Sequence, residues 1–372
     1  MADLKNKYVQ LFFRESLPKD RKDLVKQLFA LGIGYLGAQL FILLSMPLPW
    51  MLGSMAACAA AAVVGLPIGN PKQLRSLMIP IIGVSLGSVF SPHSLEALIK
   101  MGLGLLALIA AMVAASVSCY ALYRKTTDMD EATSVFCSMP GGLAEMVILS
   151  DGAGVDTAKV ALMQAVRVFT VVMAVPLWFR FSEGLTYASG RIPLSVPVST
   201  ASWEEISLIA AIALVGGVAA VLMRLPAAIL VGPLFLCVFL QLGGITDLQP
   251  VSEFVAFAQL ALGTSVGSRL TLPGRKEAPK LLVLGVVSAF IMIGFAAVAA
   301  MAVINFVDLP LHQVLLSFAP GGIPEMALMA LALGADVTIV VSVQVARISF
   351  IILLARILLK ILTKQPKTDG TA

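Results

Sequence analysis

The sequence predicts an all-α polytopic membrane protein made of two homologous repeats in inverted orientation, each with five transmembrane helices and one re-entrant hairpin broken at Pro-Gly-Gly. Of its 372 residues, 59% are hydrophobic and 13% charged, and the mean hydropathy is +0.96, far from the composition of soluble globular domains. Apolar stretches of spanning length recur from end to end, without the short alternating pattern of barrel strands. One passage also occurs twice: SMPGGLAEMVILSDGAGVDTAKVALMQAVRVF at 138–169 returns as FAPGGIPEMALMALALGADVTIVVSVQVARISF at 318–350. The interval from Glu145 to Glu325 equals that from Arg167 to Arg347 (325 − 145 = 347 − 167), so both pairs belong to one duplication.

Residues 1–23 form a basic arm with Lys5, Lys7, Arg14, Lys19, Arg21 and Lys22 and no short apolar run before a small-residue cleavage site, so the arm is expected in the cytoplasm. The first repeat occupies 24–181, with apolar segments at 24–46, 48–66, 74–91, 95–123, 132–150 and 158–181. A linker covers 182–202. The second repeat occupies 203–362, with segments at 203–223, 226–243, 253–270, 279–306, 312–332 and 337–362, and a short tail runs over 363–372. None of the polar pieces is large enough for a core of its own.

Charge decides between two ways of threading these segments. Twelve full spans would leave the basic loop at 269–280, with Arg269, Arg275, Lys276 and Lys280, on the outside, against the positive-inside rule. If 132–150 and 312–332 each enter and leave on one side, the second repeat is inverted. Lys72 and Arg75, then Arg124 and Lys125, Arg224, the 269–280 loop and Lys360, Lys364 and Lys367 then fall in the cytoplasm with both termini. Arg180 and Arg191 are the exceptions, in an outside linker that Glu183, Glu204 and Glu205 partly offset. The expected location is the cytoplasmic (inner) membrane.

A Pro-Gly-Gly run at membrane depth frees backbone groups from helical pairing, which is tolerated only where they are buried in protein or line a wet cavity. Pro140, Gly141 and Gly142, and Pro320, Gly321 and Gly322, are therefore candidate ligand-binding positions, although proline alone can also mark a plain kink. Glu145 and Glu325 follow in the first turn after the break, where a carboxylate caps the helix, carries a proton or ligates sodium. Arg167 and Arg347 lie near the middle of their segments, each with a glutamine one turn earlier, Gln164 and Gln344. At that depth an arginine needs a carboxylate, backbone carbonyls or a bound anion, so permanent Glu145–Arg167 and Glu325–Arg347 pairs and anion binding both remain open. Asp156 and Asp336 belong to the repeat but fit helix ends better than ligands.

GVSLGS at 83–88 matches GTSVGS at 263–268, and LPWMLGSM at 48–55 answers LPAAILVGPL at 225–234. Gly83 and Gly87, like Gly263 and Gly267, share a helical face, the small-residue spacing of close helix packing, or of a surface on which a hairpin docks.

Several classes are disfavoured. The net charge of +5 is spread along membrane edges, which speaks against nucleic-acid binding. Cys58, Cys119, Cys137 and Cys237 stand singly in apolar segments without CxxC spacing, and the two histidines, His93 and His312, do not correspond in the repeat, so no metal site or cofactor is expected. P-loop, HExxH and GxSxG motifs are absent, and the chain is not expected to be an enzyme.

The paired PGGxxEM motifs, the LPWMLGSM and LPAAILVGPL segments and the closing QAVRV and QVARI runs resemble the AbrB duplication family of bacterial membrane proteins over essentially 24–362. Labels attached to that family, regulation of gene expression and ammonia monooxygenase, name no mechanism that these residues support. The sequence does not resemble the small swapped-hairpin domain of the soluble DNA-binding regulator of the same name. Inverted repeats with glycine-tipped hairpins are similar to elevator-type carboxylate carriers. The expectation is a secondary transporter of a small organic anion, with H+ or Na+ as coupling ion and the lipid bilayer as surroundings. A membrane-embedded sensor affecting gene expression without transport is the alternative, and a homo-oligomer is left open.

Overall fold

The computed structural model describes residues 21–90, 101–142, 146–147, 149–150, 155–183, 195–223, 225–270, 277–307 and 309–362. Thirteen helices are present among them: α1 (Arg21–Leu43), α2 (Pro49–Val64), α3 (Lys72–Gly87), α4 (Gly102–Thr126), α5 (Glu131–Ser138), α6 (Thr157–Glu183), α7 (Trp203–Leu222), α8 (Ala228–Leu242), α9 (Ser252–Gly267), α10 (Ala278–Val307), α11 (Leu311–Phe318), α12 (Ile323–Leu333) and α13 (Val337–Leu362). The described residues form no strand, and Val196 and Val251 make one isolated bridge. Six helices, α1, α4, α6, α7, α10 and α13, are long and apolar enough to cross a bilayer. The 16 residues of α2 and 15 of α8 are shorter. At about 1.5 Å per residue such helices reach roughly 24 Å, less than the ~30 Å hydrocarbon core.

The described chain falls into two compact units, each drawing on both halves of the sequence. Unit 1 lies within 1–94, 172–274 and 323–338, and unit 2 within 95–171, 275–322 and 339–372.

In unit 1, α2 packs on α1 and α9, while α8 packs on α7 and α3. The small-residue seams explain how close these helices come. A Cβ on Gly263 would overlap the Met51 carbonyl oxygen, and one on Gly267 that of Met55. On α3, a Cβ on Gly83 would sit 2.5 Å from the Leu230 oxygen, and one on Gly87 2.6 Å from that of Leu234. Met51 and Met55 precede Leu230 and Leu234 by one and the same interval (230 − 51 = 234 − 55). A backbone carbonyl of a neighbouring helix, α2 or α8, thus approaches each glycine, joined at Gly263 by the Ser54 hydroxyl. The helices these glycines face begin alike, after Leu48 at φ 45 and Ala227 at φ 49. Left-handed backbone at a residue with a side chain costs about 1–3 kcal/mol, and it is sustained here by the packing around it.

Unit 2 packs α4 against α10, with α5 on α4 and α11 on α10. Its core includes Tyr123, Phe136 and Phe318 and is rich in methionine, with Met101, Met112, Met129, Met139, Met146, Met163 and Met292 all buried. Methionine fills irregular space and tolerates repacking, which suits a core built around two interrupted helices.

Candidate functional site

The two Pro-Gly-Gly runs break their helices in the same way. The first begins at α5, whose cap Asp130 accepts a hydrogen bond from the Thr133 amide at 2.9 Å. This helix ends at Ser138, and Met139 is extended at φ −81 and ψ 127. The Gly141 amide then turns back onto the Met139 carbonyl at 2.9 Å, enclosing Pro140 in a one-residue turn. Proline is fixed near the φ such a turn requires. Helical pairing resumes with the Met146 amide on the Gly142 carbonyl at 2.9 Å. In the second half α11 ends at Phe318, Ala319 is extended, the Gly321 amide bonds the Ala319 carbonyl at 2.8 Å, and α12 starts at Ile323.

Each break strands carbonyls, and one arginine and one glutamine collect them. Arg167 donates from Nη1 to the Met139 oxygen at 3.2 Å and from Nη2 to the Gly141 oxygen at 2.7 Å. Gln164, one turn earlier on α6, donates from Nε2 to Phe136 at 3.0 Å and Met139 at 2.9 Å. In the second half of the sequence Arg347 donates from Nη1 to the Ala319 carbonyl and from Nη2 to the Gly321 oxygen at 2.6 Å. Gln344 on α13 gives Nε2 to Leu316, Ser317 and Ala319 at 3.1, 3.2 and 3.0 Å. Only a planar, rigid fork reaches the carbonyls on both sides of the proline at once. The positive charge also lies at the C-terminal end of the preceding short helix, where the helix dipole favours it. Of the partners open to these arginines from the sequence, the described contacts use backbone carbonyls.

Four polar atoms around the breaks remain without a partner among the described residues: Oε1 of Gln164 and Gln344, and Nε of Arg167 and Arg347. All four side chains are buried, at 0% to 2% exposure, so these orphans are not solvated from outside. Arg167 and Arg347 are close enough for their charges to repel. Pro140, Pro320, Arg347, Met112, Met292 and Phe318 line a narrow crevice in this unit, with room for roughly one water molecule. Pro140 and Pro320 are related by the repeat interval, as are Met112 and Met292 (320 − 140 = 292 − 112). The methionine pair shares that interval but lies outside the conspicuous motif, in uniformly apolar sequence, which is why sequence reasoning passed over it.

The acids stand differently. Glu145 lies outside the described residues. Glu325, in the first turn of α12, is 2% exposed and belongs to unit 1, where its Oε1 is 3.8 Å from Nη2 of Arg75 on α3. Arg269, two residues past α9, is near enough to attract Glu325 and repel Arg75. In the sequence Arg75 and Arg269 are topology markers only, since the repeat places Val255 and Val89 at the corresponding positions. Asp336 accepts the Thr338 amide at 2.9 Å and Asp156 the Lys159 amide at 3.2 Å, so both cap helices. Cys58, Cys119, Cys137 and Cys237 are free and buried. No group of three or more His, Cys, Asp or Glu side chains with metal-holding geometry occurs among the described residues.

Long apolar helices and a pair of interrupted ones, with polar side chains turned inward, define an all-helical multi-pass membrane protein. A family model described as "Transition state regulatory protein AbrB" matches residues 50–363, and the chain belongs to this AbrB family. Among its relatives is "Uncharacterized protein YhjN" of Bacillus subtilis (strain 168), 28% identical over 90% of this chain and 93% of that protein. Another is "Putative regulator AbrB" of Escherichia coli (strain K12), 25% identical over 87% of this chain and 90% of that protein.

Proposed function

We propose that the protein is a secondary active transporter of a small organic anion in the inner membrane, built from two inverted repeats whose broken helices are re-entrant hairpins. The observation that carries this reading is the crevice between Pro140 and Pro320. Two pairs of its lining residues obey the repeat interval, and Arg347, which also lines it, is a buried cation whose described partners are neutral carbonyls. A buried positive charge without a described acidic partner suits an anion, and the orphan Nε donors on Arg167 and Arg347 are where one would bond. The orphan Oε1 acceptors of Gln164 and Gln344 suit a hydroxyl, amine or water of the same solute.

Coupling runs through Glu145 or Glu325 with H+ or Na+, and access alternates by rigid movement of one bundle, as in elevator-type carriers. The space is tight, so the ligand enters by repacking the methionine-lined walls. No redox or hydrolytic step is part of this reading.

A second reading, a membrane-embedded sensor acting on gene expression, is favoured by one observation, the word "regulator" in the name of the Escherichia coli relative. One experiment separates the two. Purified protein in proteoliposomes is offered labelled mono- and dicarboxylates and amino acids under imposed proton and sodium gradients. Gradient-dependent uptake that disappears in Glu325→Gln supports transport. Saturable binding with no uptake of any bound compound supports the sensor. Uptake undisturbed by both Glu145→Gln and Glu325→Gln removes the coupling assignment.

A further inference from the structure

The Arg75–Glu325 pair in unit 1 is an ion pair that has not closed. A charge-assisted N–H···O bond runs at about 2.7–2.9 Å, yet Nη2 of Arg75 and Oε1 of Glu325 are 3.8 Å apart. The second oxygen of the carboxylate, Oε2, is buried and has no hydrogen-bond partner among the described residues. Nε of Arg75 is likewise buried and without one. Nε and Nη2 form the side-on edge of a guanidinium, the edge that takes a carboxylate in two parallel hydrogen bonds. On Arg75 one donor of that edge is empty and the other has only the long contact.

The local charge balance points the same way. Arg75 starts from the first turn of α3, Arg269 follows α9, and Glu325 opens α12; α3 packs on both α9 and α12. Among the described residues two arginines bear on this carboxylate, Arg75 through its 3.8 Å contact and Arg269 through its charge, so positive charge is in excess among them. Glu325 is 2% exposed, and at such burial an imperfectly paired charge is costly. A geometry with a loose bond, two orphan atoms of opposite type and one surplus cation is that of a binding position held by a weak internal occupant.

We propose that Arg75 and Arg269 form a binding position for the carboxylate group of a small organic acid, on the Nε–Nη2 edge of Arg75, with Glu325 as the built-in competitor that stands there when the acid is absent. This deepens the transport reading, on which it rests for the class of solute, by adding a binding position in unit 1. Binding displaces the Glu325 side chain, and neutralising that side chain has the same effect as moving it away. A solute carboxylate and an anionic lipid headgroup present similar oxygens, so the test must tell them apart.

The test is ligand-dependent thermal unfolding of the full-length protein in detergent, titrated with succinate, with acetate and inorganic phosphate as comparison anions. Wild type, Glu325→Gln, Arg75→Lys and the double variant Arg75→Gln/Glu325→Gln are compared, each first checked for a monodisperse elution profile. Removing the competitor should lower the succinate midpoint about tenfold in Glu325→Gln, and loss of the fork in the double variant should abolish that gain. Arg75→Lys keeps the charge but not the fork, and should weaken succinate severalfold with acetate weakened in parallel. A midpoint in Glu325→Gln no lower than wild type, or a gain that survives in the double variant, overturns the proposal. A response to added phosphatidylglycerol with none to succinate also overturns it, assigning the arginines to a lipid headgroup. Failure of the transport reading is visible separately: the same preparations would bind succinate with the predicted rank order and show no uptake in proteoliposomes.

Discussion

Gln344 and Arg347, one turn apart on α13, both donate to the carbonyl of Ala319, the last residue before the Pro320 break. Gln164 and Arg167 share the Met139 carbonyl in the same way on α6. Each of these carbonyls also takes the amide two residues on, Gly321 or Gly141, so three donors converge on one oxygen and share its two lone pairs. The two side chains together replace the backbone pairing that proline removes, so the break is a defined structure with its own hydrogen-bond complement.

Arg347 is expected to be structurally indispensable in a way that lysine cannot restore. A single ammonium does not reach the Ala319 and Gly321 carbonyls from one position; Ala319 would keep the bonds from Gln344 and the Gly321 amide, but the Gly321 carbonyl would lose its described side-chain donor. Arg347→Lys should destabilise by about 2–4 kcal/mol, and Arg347→Gln by a similar amount. Thermal unfolding in detergent measures this. A Lys variant as stable as wild type would mean that charge alone, without the fork, maintains the break.

The glutamines should matter about equally. Each donates from one Nε2 with two N–H groups, which Gln164 gives to two carbonyls and Gln344 shares among three, so Gln344→Leu and Gln164→Leu should each cost about 1–3 kcal/mol. A double-mutant cycle between Gln344→Leu and Arg347→Lys should be non-additive, because the two donors share one acceptor. Additive losses would show that they act independently.

Much of this arrangement is legible in the sequence. Pro-Gly-Gly inside an apolar stretch announces a break, and an arginine near the middle of the next segment announces that something must receive its charge. What receives it is not legible, because carbonyl acceptors belong to every residue and carry no signature. The repeat drew attention to Glu325 and Arg347 because both recur, and away from Arg75 and Arg269 because they do not. Arg75 and Glu325 lie in opposite halves of the sequence, and only folding brings α3 and α12 together. The interleaving of the halves into two units is hidden for the same reason. The seams at Gly83, Gly87, Gly263 and Gly267 were visible as spacing, but the helices that fill them were not.

Those seams give a stability prediction with an internal control. A Cβ on Gly267 would overlap the Met55 backbone oxygen and stand 2.9 Å from Cβ of Cys58, so α2 and α9 would have to separate. Gly267→Ala should lower the unfolding midpoint markedly, by the equivalent of about 1–3 kcal/mol. On α1, Gly32 has nothing within 4 Å of an added Cβ, so Gly32→Ala should be neutral or slightly stabilising through helix propensity. Equal effects at the two sites would contradict the close approach of α2 to α9.

The threading of the chain is the remaining prediction, and it can be read at two exposed positions, Lys280 and Glu204. With two re-entrant hairpins and inverted repeats, Lys280 is cytoplasmic and Glu204 is outside; with twelve full spans from an inside amino terminus the two exchange sides. Single cysteines are placed at each position on a background lacking Cys58, Cys119, Cys137 and Cys237. These four are buried, so a membrane-impermeant maleimide should leave the native protein unlabelled in any case. Labelling of Glu204→Cys in intact cells, with Lys280→Cys reacting only after permeabilisation, is the result expected of inverted repeats. The opposite pair of results would make the repeats parallel. Each Pro-Gly-Gly break would then lie inside a full span, and Arg167 and Arg347 would be holding interrupted transmembrane helices in place of hairpin tips.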